Sequence, residues 1–505
     1  MGGFQRCSGI LMPVSALPSP YGIGTLGRAA FEFADFLHES GQSLWQILPL
    51  GPTGFGDSPY QSFSSFAGNP YLIDLDELAE AGLLLHSEIN AVPWGSDSGY
   101  VDYGLLYSGR LPLLALARER GRRNAELCAA VETFSAENAV WLNDYALFMA
   151  LKRHFNMRPW HEWPEDIRSR ESEAMEHYRR LLRDDLELEC FIQYCFFTQF
   201  YRLRGYCRSI GLRLVGDLPF YTAPDSADVW AAPEQFQLDS HLRPTCVAGV
   251  PPDFFSENGQ LWGNPLYDWE RMSGDGFSWW RKRVAAAARL YDIIRLDHFR
   301  GFESYWSIPA GAESAAGGRW VKAPGTSFIK MLKDSFPQTM FVAEDLGIIT
   351  DDVRALRSFS GFPGMAVLSF AFDPEQESSY LPHKLERSCF CCTGTHDNEP
   401  LGAFCANISD DVQGFISLYC GGVSPLDIIR SGMCSPADVF IAQLQDWLEA
   451  DAGARMNTPG LSSGCWQWRL TPGQLTQELK SRIFNMTKAT CRLNTAAGKE
   501  CPHAD

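Results

Sequence analysis

Short apolar runs alternate with amphipathic stretches along this chain. The runs that predict strands span residues 9–14, 44–50, 212–216, 293–296, 340–343, 366–371 and 390–395. They are dominated by apolar residues rather than strictly alternating, which is typical of strands buried on both faces of a parallel sheet. Periodic stretches such as 28–40 and 279–290 predict helices between several of these strands. A strand, a helix and a second strand at this spacing form a βαβ unit, so the pattern indicates parallel pairing.

The repetition of these units predicts an α/β fold, a (β/α)8 barrel of the TIM type with helical insertions and a site at its carboxyl face. A doubly wound sheet with a cap domain is the alternative. The chain has 505 residues, more than one ordinary compact core, which agrees with insertions. We expect the first part of the barrel in 1–75, a mainly helical insertion in 76–195, the main barrel segment in 196–400, a second insertion in 401–459 and the C-terminal end of the barrel in 460–505.

Three of the predicted strands end in carboxylates. Asp297 follows the run 293–296, Glu344 follows the run 340–343, and Asp397 follows the run that begins at Cys389. If these strands are parallel neighbours, the three acids converge on one cleft. Arg295 lies two residues before Asp297 and therefore projects to the same face of its strand. A cation beside a carboxylate favours the ionised form, which a covalent nucleophile requires.

Composition narrows the range of partners. The formal net charge is −18, which disfavours nucleic acid and anionic membranes but leaves a neutral polymer unaffected. No run of eighteen apolar residues predicts a membrane span, and residues 1–8 lack the apolar core of a signal peptide.

The fifteen cysteines are scattered and odd in number, which favours reduced thiols in a cytoplasmic protein. We expect no metal site, because the histidines and acids lack the paired spacing of metal ligands.

Several motifs together resemble one known family. They are Asp297 in Arg-Leu-Asp-His-Phe-Arg-Gly, Glu344 in Ala-Glu-Asp-Leu-Gly, Asp397 in Thr-His-Asp-Asn, and the stretches 56–61, 216–219, 249–253 and 259–265. Their order resembles the 4-α-glucanotransferases, which are also called amylomaltases or disproportionating enzymes. The resemblance runs from about residue 8 to about residue 469. One position departs from the family pattern, because Cys465 stands where an asparagine is expected, and a thiol is a poorer partner for a sugar hydroxyl.

The resemblance implies an α-amylase-like (β/α)8 barrel that needs no cofactor. It implies transfer of a 4-α-glucanosyl segment, with retention of configuration, to the 4-hydroxyl of an acceptor. Asp297 would be the nucleophile, Glu344 the acid/base and Asp397 the stabiliser of the transition state. The partners implied are maltooligosaccharides, amylose or glycogen-derived α-1,4-glucans, with glucose as acceptor or product.

Substrate contacts are expected from the loops around these acids. The predicted substrate-binding residues are Ser58, Tyr60, Asp217, Asp253, Gln260, Trp262, Arg295 and His396. Tyr60 and Trp262 lie in Gly/Pro-rich surroundings and are candidates for stacking on glucose rings. Asp217 is expected to orient Arg295 or a loop rather than to react. The loops 51–70 and 247–263 are expected to cover the acceptor and exclude water.

Other interpretations of the same residues remain open at this point. Asp297 could cap a helix or pair with Arg300, Asp397 could be a turn residue, and Tyr60 and Trp262 could be core aromatics. A retaining α-glucan hydrolase would use the same three carboxylates. A glucan-binding scaffold without catalysis is the alternative from another class, and the intact set of acids argues against it.

Overall fold

The computed structural model describes residues 5–252, 257–461 and 463–494. Its strands are β1 Cys7–Leu11, β2 Leu44–Gln46, β3 Arg213–Leu218, β4 Cys246–Val250, β5 Gln260–Pro265, β6 Ile293–Leu296, β7 Ser304–Pro309, β8 Arg319–Lys322, β9 Met340–Ala343, β10 Gly364–Val367, β11 Cys389–Cys392 and β12 Val439–Gln443. Its helices up to β3 are α1 Arg28–Glu39, α2 Leu75–Glu80, α3 His86–Asn90, α4 Tyr103–Gly121, α5 Ala125–Glu137, α6 Ala139–His154, α7 Glu165–Arg168, α8 Ser172–Leu181 and α9 Arg183–Ser209. Those that follow are α10 Ala227–Ala231, α11 Trp269–Gly274, α12 Ser278–Leu290, α13 Gly325–Ser335, α14 Asp351–Ser360, α15 Leu401–Asn407, α16 Asp410–Cys420, α17 Pro425–Cys434, α18 Leu444–Trp447 and α19 Gln477–Ala489.

Eight strands form one parallel sheet in the order β10-β11-β12-β1-β2-β3-β6-β9. The two ends of this order meet, because the backbone N–H of Ala343 at the end of β9 donates to the carbonyl of Pro363 before β10, at 2.9 Å. The sheet therefore closes on itself. The predicted (β/α)8 barrel is confirmed, and the doubly wound alternative is excluded because an open sheet would keep β9 and β10 apart.

The barrel strands are buried apart from the first residues of β3 and β9, as is typical of parallel strands covered by helices. Every residue of β1, β6 and β12 is buried. Gly216 in β3 shows how closely the layers pack, because a Cβ atom at this position would lie about 2.1 Å from the ring of Tyr291. A larger residue would push β3 away from the segment before β6. The next residue, Asp217, would move with it.

The sequence prediction was wrong about the last part of the barrel. Strand β12, Val439–Gln443, pairs with both β1 and β11, so the segment 401–459 contains a barrel strand and is not simply an insertion. Residues 463–494, the described part of the predicted C-terminal end, contribute helix α19 and no barrel strand. Periodicity does not separate a short apolar run such as 439–442 from a helix, and no carboxylate follows this run directly, as Asp297 and Glu344 follow the runs 293–296 and 340–343. The other expected boundaries stay predictions.

A second, antiparallel sheet was not predicted. Its order is β5-β4-β7-β8, and the β4–β5 hairpin carries Gln260 and Trp262. Strand β7 begins at Ser304, shortly after Asp297 at the end of β6, so this sheet is connected to the carboxyl face of the barrel. The β4–β5 hairpin thereby places Trp262 against His298, which follows the end of β6.

The helical block between β2 and β3 fixes the long loop 51–70. The side-chain amide of Gln193 on α9 donates to the carbonyl of Gly68 at 3.0 Å and accepts from its N–H at 2.7 Å. Gln199, two turns later, makes the same pair of bonds to the backbone of Asp74.

Among the described residues no single helix is long and apolar enough to cross a membrane. Helices α16 and α17 reach that length and apolar composition only when taken together, and they are bent by 47° relative to each other.

Candidate active site

Arg295 is the centre of the charged groups at the carboxyl face of the barrel. Its Nη1 donates to Asp297 Oδ1 at 3.0 Å, and its Nη2 lies 3.9 Å from Glu344 Oε2. The N–H of Phe220 donates to the second oxygen of Asp297 at 3.3 Å. The Asp297 side chain keeps 24% exposure, whereas Arg295 keeps 6%. The structure thus brings two of the three predicted acids, Asp297 and Glu344, to the same guanidinium, with Asp297 accessible from solvent.

Glu344 is held by backbone donors in a buried position. Its Oε2 accepts from the N–H of His298 at 2.7 Å, and its Oε1 accepts from the N–H of Leu346 at 3.0 Å. Burial raises the pKa of the Glu344 carboxyl to about 8, against the lowering effect of Arg295 and with a further rise from the Asp297 charge. Glu344 is therefore mostly protonated near neutral pH, as a general acid must be.

Asp217 supports Arg295 from the neighbouring strand β3. Both of its carboxylate oxygens lie 2.7 Å from Arg295 Nη1, and Tyr60 Oη donates to its Oδ2 at 2.6 Å. Burial raises the pKa of Asp217, while Arg295 opposes that rise. Burial alone would lower the pKa of Arg295, but Asp217, Asp297 and Glu344 outweigh it and raise that pKa. Asp217 therefore contacts Arg295 as the sequence analysis expected.

Aromatic rings connect this charged centre to the third acid. The ring of Tyr60 stacks on His396, with centroids 4.7 Å apart and planes at 21°, and Trp466 lies 5.8 Å from Tyr60. Tyr60 Oη is 3.2 Å from His396 Nδ1. His396 precedes Asp397, and its Nε2 lies 3.4 Å from Asp397 Oδ1. Asp397 is 43% exposed, so its carboxylate is open to a ligand.

The remaining predicted contact residues occupy the edges of the site. Trp262 Nε1 donates to Gln260 Oε1 at 3.1 Å, and the Trp262 ring meets the His298 ring edge-to-face at 5.1 Å. Ser58 Oγ accepts from the N–H of Tyr60 at 3.2 Å and so shapes the turn that presents Tyr60. Asp253 lies outside the described residues. No group of three or more potential metal ligands occurs in the part of the chain that the structure describes.

Sequence reasoning missed several residues that shape this site. His298 adopts a left-handed backbone conformation, with φ 46° and ψ 50°, which aims its N–H at Glu344. Burial lowers the pKa of its imidazole to about 4, so this ring is neutral at pH 7. Asn457 Nδ2 donates to Asp397 Oδ1 at 2.6 Å, and Arg455 Nη2 donates to the carbonyl of the same residue at 2.6 Å. The segment that carries both residues is about sixty positions from Asp397, so no local pattern could reveal the contact.

The fold and the site define an enzyme of the (β/α)8-barrel class with carboxylates lining its cleft. Comparisons with known proteins specify the family. A model of the 4-alpha-glucanotransferase family matches residues 12–476. The 4-alpha-glucanotransferases of Streptococcus pneumoniae and Thermus thermophilus are each 45% identical to this chain, over 97% of it and over 98% and 99% of their own lengths.

The solved structures agree with the sequence comparison. The structure of the amylomaltase from Streptococcus agalactiae in complex with acarbose matches with a TM-score of 0.95 and 36% identity, and covers 97% of this chain and 100% of that one. The chain belongs to the 4-α-glucanotransferase family and is an enzyme of this type.

Replacing Arg295 by methionine is expected to lower the free energy of unfolding by about 3–5 kcal/mol, because removing the cation leaves the buried carboxylates around it uncompensated. Urea unfolding at pH 7 measures this change. The matched control is Arg354→Met on the surface, where Arg354 pairs with Asp351 at 2.9 Å and both side chains are exposed. That control should cost less than about 1 kcal/mol. Equal losses in the two variants would contradict the central position of Arg295.

Proposed function

We propose that this enzyme transfers 4-α-glucanosyl segments between α-1,4-glucans by double displacement through a covalent bond to Asp297. The observation that carries this proposal is that two neighbouring carboxyl groups, those of Asp297 and Glu344, lie in different environments. Asp297 accepts from Arg295 and stays accessible, whereas Glu344 is buried and its pKa is raised. Two carboxyl groups with opposite protonation are what retaining glycoside chemistry needs.

In the first displacement, a carboxylate oxygen of Asp297 bonds to the anomeric carbon of the donor as the glycosidic C–O bond breaks. The proton of Glu344 passes to the departing oxygen, which leaves as the 4-hydroxyl of the released glucan. Glu344 becomes a carboxylate. The backbone N–H groups of His298 and Leu346 then stabilise its charge.

In the second displacement, the 4-hydroxyl of an acceptor attacks the same anomeric carbon and gives its proton to Glu344. The bond to Asp297 breaks, and the anomeric configuration of the donor is restored. Arg295 receives the returning negative charge of Asp297 without moving, since it already donates to Oδ1. The site thus returns to its starting protonation state.

Asp397 is proposed to hold two hydroxyls of the sugar at the reacting position and to stabilise the cationic transition state. Its exposed carboxylate adjoins the stacked rings of Tyr60 and His396, which form an amphipathic wall suited to a pyranose. The polar groups of His396 and Arg295 supply further donors to sugar oxygens. Gln260 and Trp262 are proposed to contact the acceptor from the β4–β5 hairpin. Asp253 is proposed as another contact from its sequence motif alone.

Transfer requires that a sugar hydroxyl reach the intermediate before water does. Holding an acceptor in the attacking geometry contributes up to about 7–11 kcal/mol in well-oriented systems. The loop 51–70 is suited to this role, because Gln193 anchors Gly68 while Ser58 and Tyr60 form a turn at the site. We propose that this loop and the β4–β5 hairpin bind the acceptor.

The natural substrates are proposed to be maltooligosaccharides, amylose or glycogen-derived glucans, with glucose as acceptor or product, in cytoplasmic maltodextrin and glycogen metabolism. A neutral glucan suits a chain with a net charge of −18. The cysteines in the described residues are all free thiols, which agrees with a reducing compartment.

Incubation with maltotriose tests the proposed activity. Transfer should produce glucose and a ladder of longer maltooligosaccharides while the number of reducing ends stays constant. Chromatography gives the product sizes, and a reducing-sugar assay gives the count. A rising count without longer products would identify a hydrolase with the same carboxylates and contradict the proposal. A boiled sample is the control.

A further inference from the structure

Asp397 differs from the other two acids in the group that fixes its carboxylate. Asp297 accepts from a guanidinium and Glu344 from backbone N–H groups. The Oδ1 atom of Asp397 accepts from the side-chain amide of Asn457 at 2.6 Å, whereas His396 Nε2 lies farther from the same atom, at 3.4 Å. The donor is neutral, so it orients the carboxylate without cancelling its charge.

The backbone around Asn457 is anchored separately from its side chain. The N–H of Asn457 donates to the carbonyl of His396 at 3.1 Å. Arg455 Nε donates to the carbonyl of Asn457 at 2.7 Å, and its Nη2 donates to the carbonyl of Asp397 at 2.6 Å. These bonds use backbone atoms or Arg455, so they persist when the Asn457 side chain is changed. The amide of Asn457 is therefore not needed to hold the two segments together.

We propose that Asn457 is a positioning residue that sets the rotation of the Asp397 carboxylate. The terminal torsion of an aspartate is broad and roughly two-fold, so an exposed carboxylate without a fixed donor rotates freely. A donor on Oδ1 stops this rotation and leaves Oδ2 to accept from the sugar. This inference rests on the proposed role of Asp397 in the transition state, and it extends that role to a residue on the loop after α18.

The first test is Asn457→Leu, which keeps about the same volume and removes the donor. We expect kcat for maltotriose to fall about 10- to 100-fold, with KM changed less than about 3-fold, because a misplaced group costs rate in the transition state more than binding in the ground state. Thermal unfolding should show the same midpoint as the wild type. A wild-type kcat in this variant would overturn the inference.

The second test uses the pH dependence of Asn457→Asp, which is isosteric. At pH 8 two carboxylates would face each other and repel. The other charged or titratable groups at this pair are His396, whose Nε2 lies 3.4 Å from Asp397 Oδ1, and Arg455, which donates to both backbone carbonyls, and the wild type has both groups as well. As the pH falls to 5 the pair takes up a shared proton, which restores a hydrogen bond between positions 457 and 397. We expect the activity of the variant relative to the wild type to rise at least about tenfold between pH 8 and pH 5. Because the ratio to the wild type is taken at both pH values, a loss of activity that is the same at pH 8 and pH 5 does not produce this rise.

Asn407→Asp is the matched control for the pH test. The amide of Asn407 lies 3.4 Å from Glu399 Oε2 in an exposed contact, so the same substitution creates the same kind of carboxylate pair with an acid that has no proposed role in the reaction. Its activity relative to the wild type should stay constant with pH. A constant ratio for Asn457→Asp as well would overturn the inference.

Asp397→Asn separates this inference from the proposed function. If Asp397→Asn is inactive while Asn457→Leu is fully active, Asp397 keeps its proposed role and the positioning inference alone is wrong. If Asp397→Asn retains the wild-type rate, the proposed role of Asp397 is wrong and the inference falls with it. Loss of activity in both variants, with pH recovery in Asn457→Asp, supports the inference.

Discussion

Asp297→Asn is expected to lower kcat for maltotriose by at least about 10⁴-fold while the protein stays folded. An amide has nearly the shape of a carboxylate but is a poor nucleophile, and removal of a nucleophile costs about 10⁴- to 10⁶-fold in enzymes that form covalent intermediates. The contacts of Asp297 predict little structural damage. Arg295 keeps both oxygens of Asp217, and the side chain of Asp297 is partly exposed.

Three measurements separate this chemical role from a structural one. Steady-state kinetics gives kcat, thermal unfolding gives stability, and calorimetry with a maltooligosaccharide gives binding, which should stay within a few-fold of the wild type. Asp345→Asn is the matched control, because Asp345 is another acid at a strand end but its oxygens contact the N–H of Met365 at 2.8 Å and Arg357 at 3.2 Å. The control should keep most of its activity. Turnover by Asp297→Asn above about 1% of the wild-type rate would contradict the nucleophile assignment.

Glu344→Gln is expected to abolish reaction with natural glucans and to retain reaction with an α-glucosyl fluoride. A sugar oxygen leaves only when it is protonated, and glutamine has no proton to give at this step. Fluoride is a good leaving group and needs no acid. The expected pattern is therefore a loss of at least about 10³-fold with maltotriose, and a much smaller loss of the first displacement with the fluoride.

The pH profile gives an independent check on Glu344. A raised pKa means that the acid form is present below that pKa and is lost above it. Burial raises this pKa to about 8, so the wild-type rate with maltotriose should decline as the pH rises through that region. The first displacement by Glu344→Gln on the fluoride should lack this decline. Equal rates of the two proteins with both donors would show that another group is the acid.

Part of this site can be predicted from sequence, because each acidic residue lies close in sequence to the strand that positions it. Asp297, Glu344 and Asp397 each follow an apolar run, and the parallel order of those runs brings the first two of them to the same group, Arg295. The contact of Asp217 with Arg295 was predictable for the same reason, since β3 and β6 are neighbours and these two residues are register partners.

Other parts depend on contacts between distant segments, which local patterns do not encode. Asn457 reaches Asp397 from a loop that follows β12, a strand whose apolar run is not followed directly by a carboxylate that would have marked it. The antiparallel sheet was missed because β4 has a glycine and partly exposed residues rather than a clear alternation. The left-handed conformation of His298 was missed as well, because only a few per cent of non-glycine residues adopt it, although histidine is enriched among them.

Direct detection of a glycosyl bond to Asp297 is the measurement that tests the account most closely. Glu344→Gln would be incubated with a maltotriosyl fluoride that lacks the 4-hydroxyl at its non-reducing end, so that the donor cannot act as an acceptor. Without a base to activate water, the intermediate should accumulate. Mass spectrometry of the digested protein should then place a maltotriosyl group on Asp297. No adduct during fluoride release, an adduct on another residue, or products with inverted anomeric configuration would contradict the mechanism.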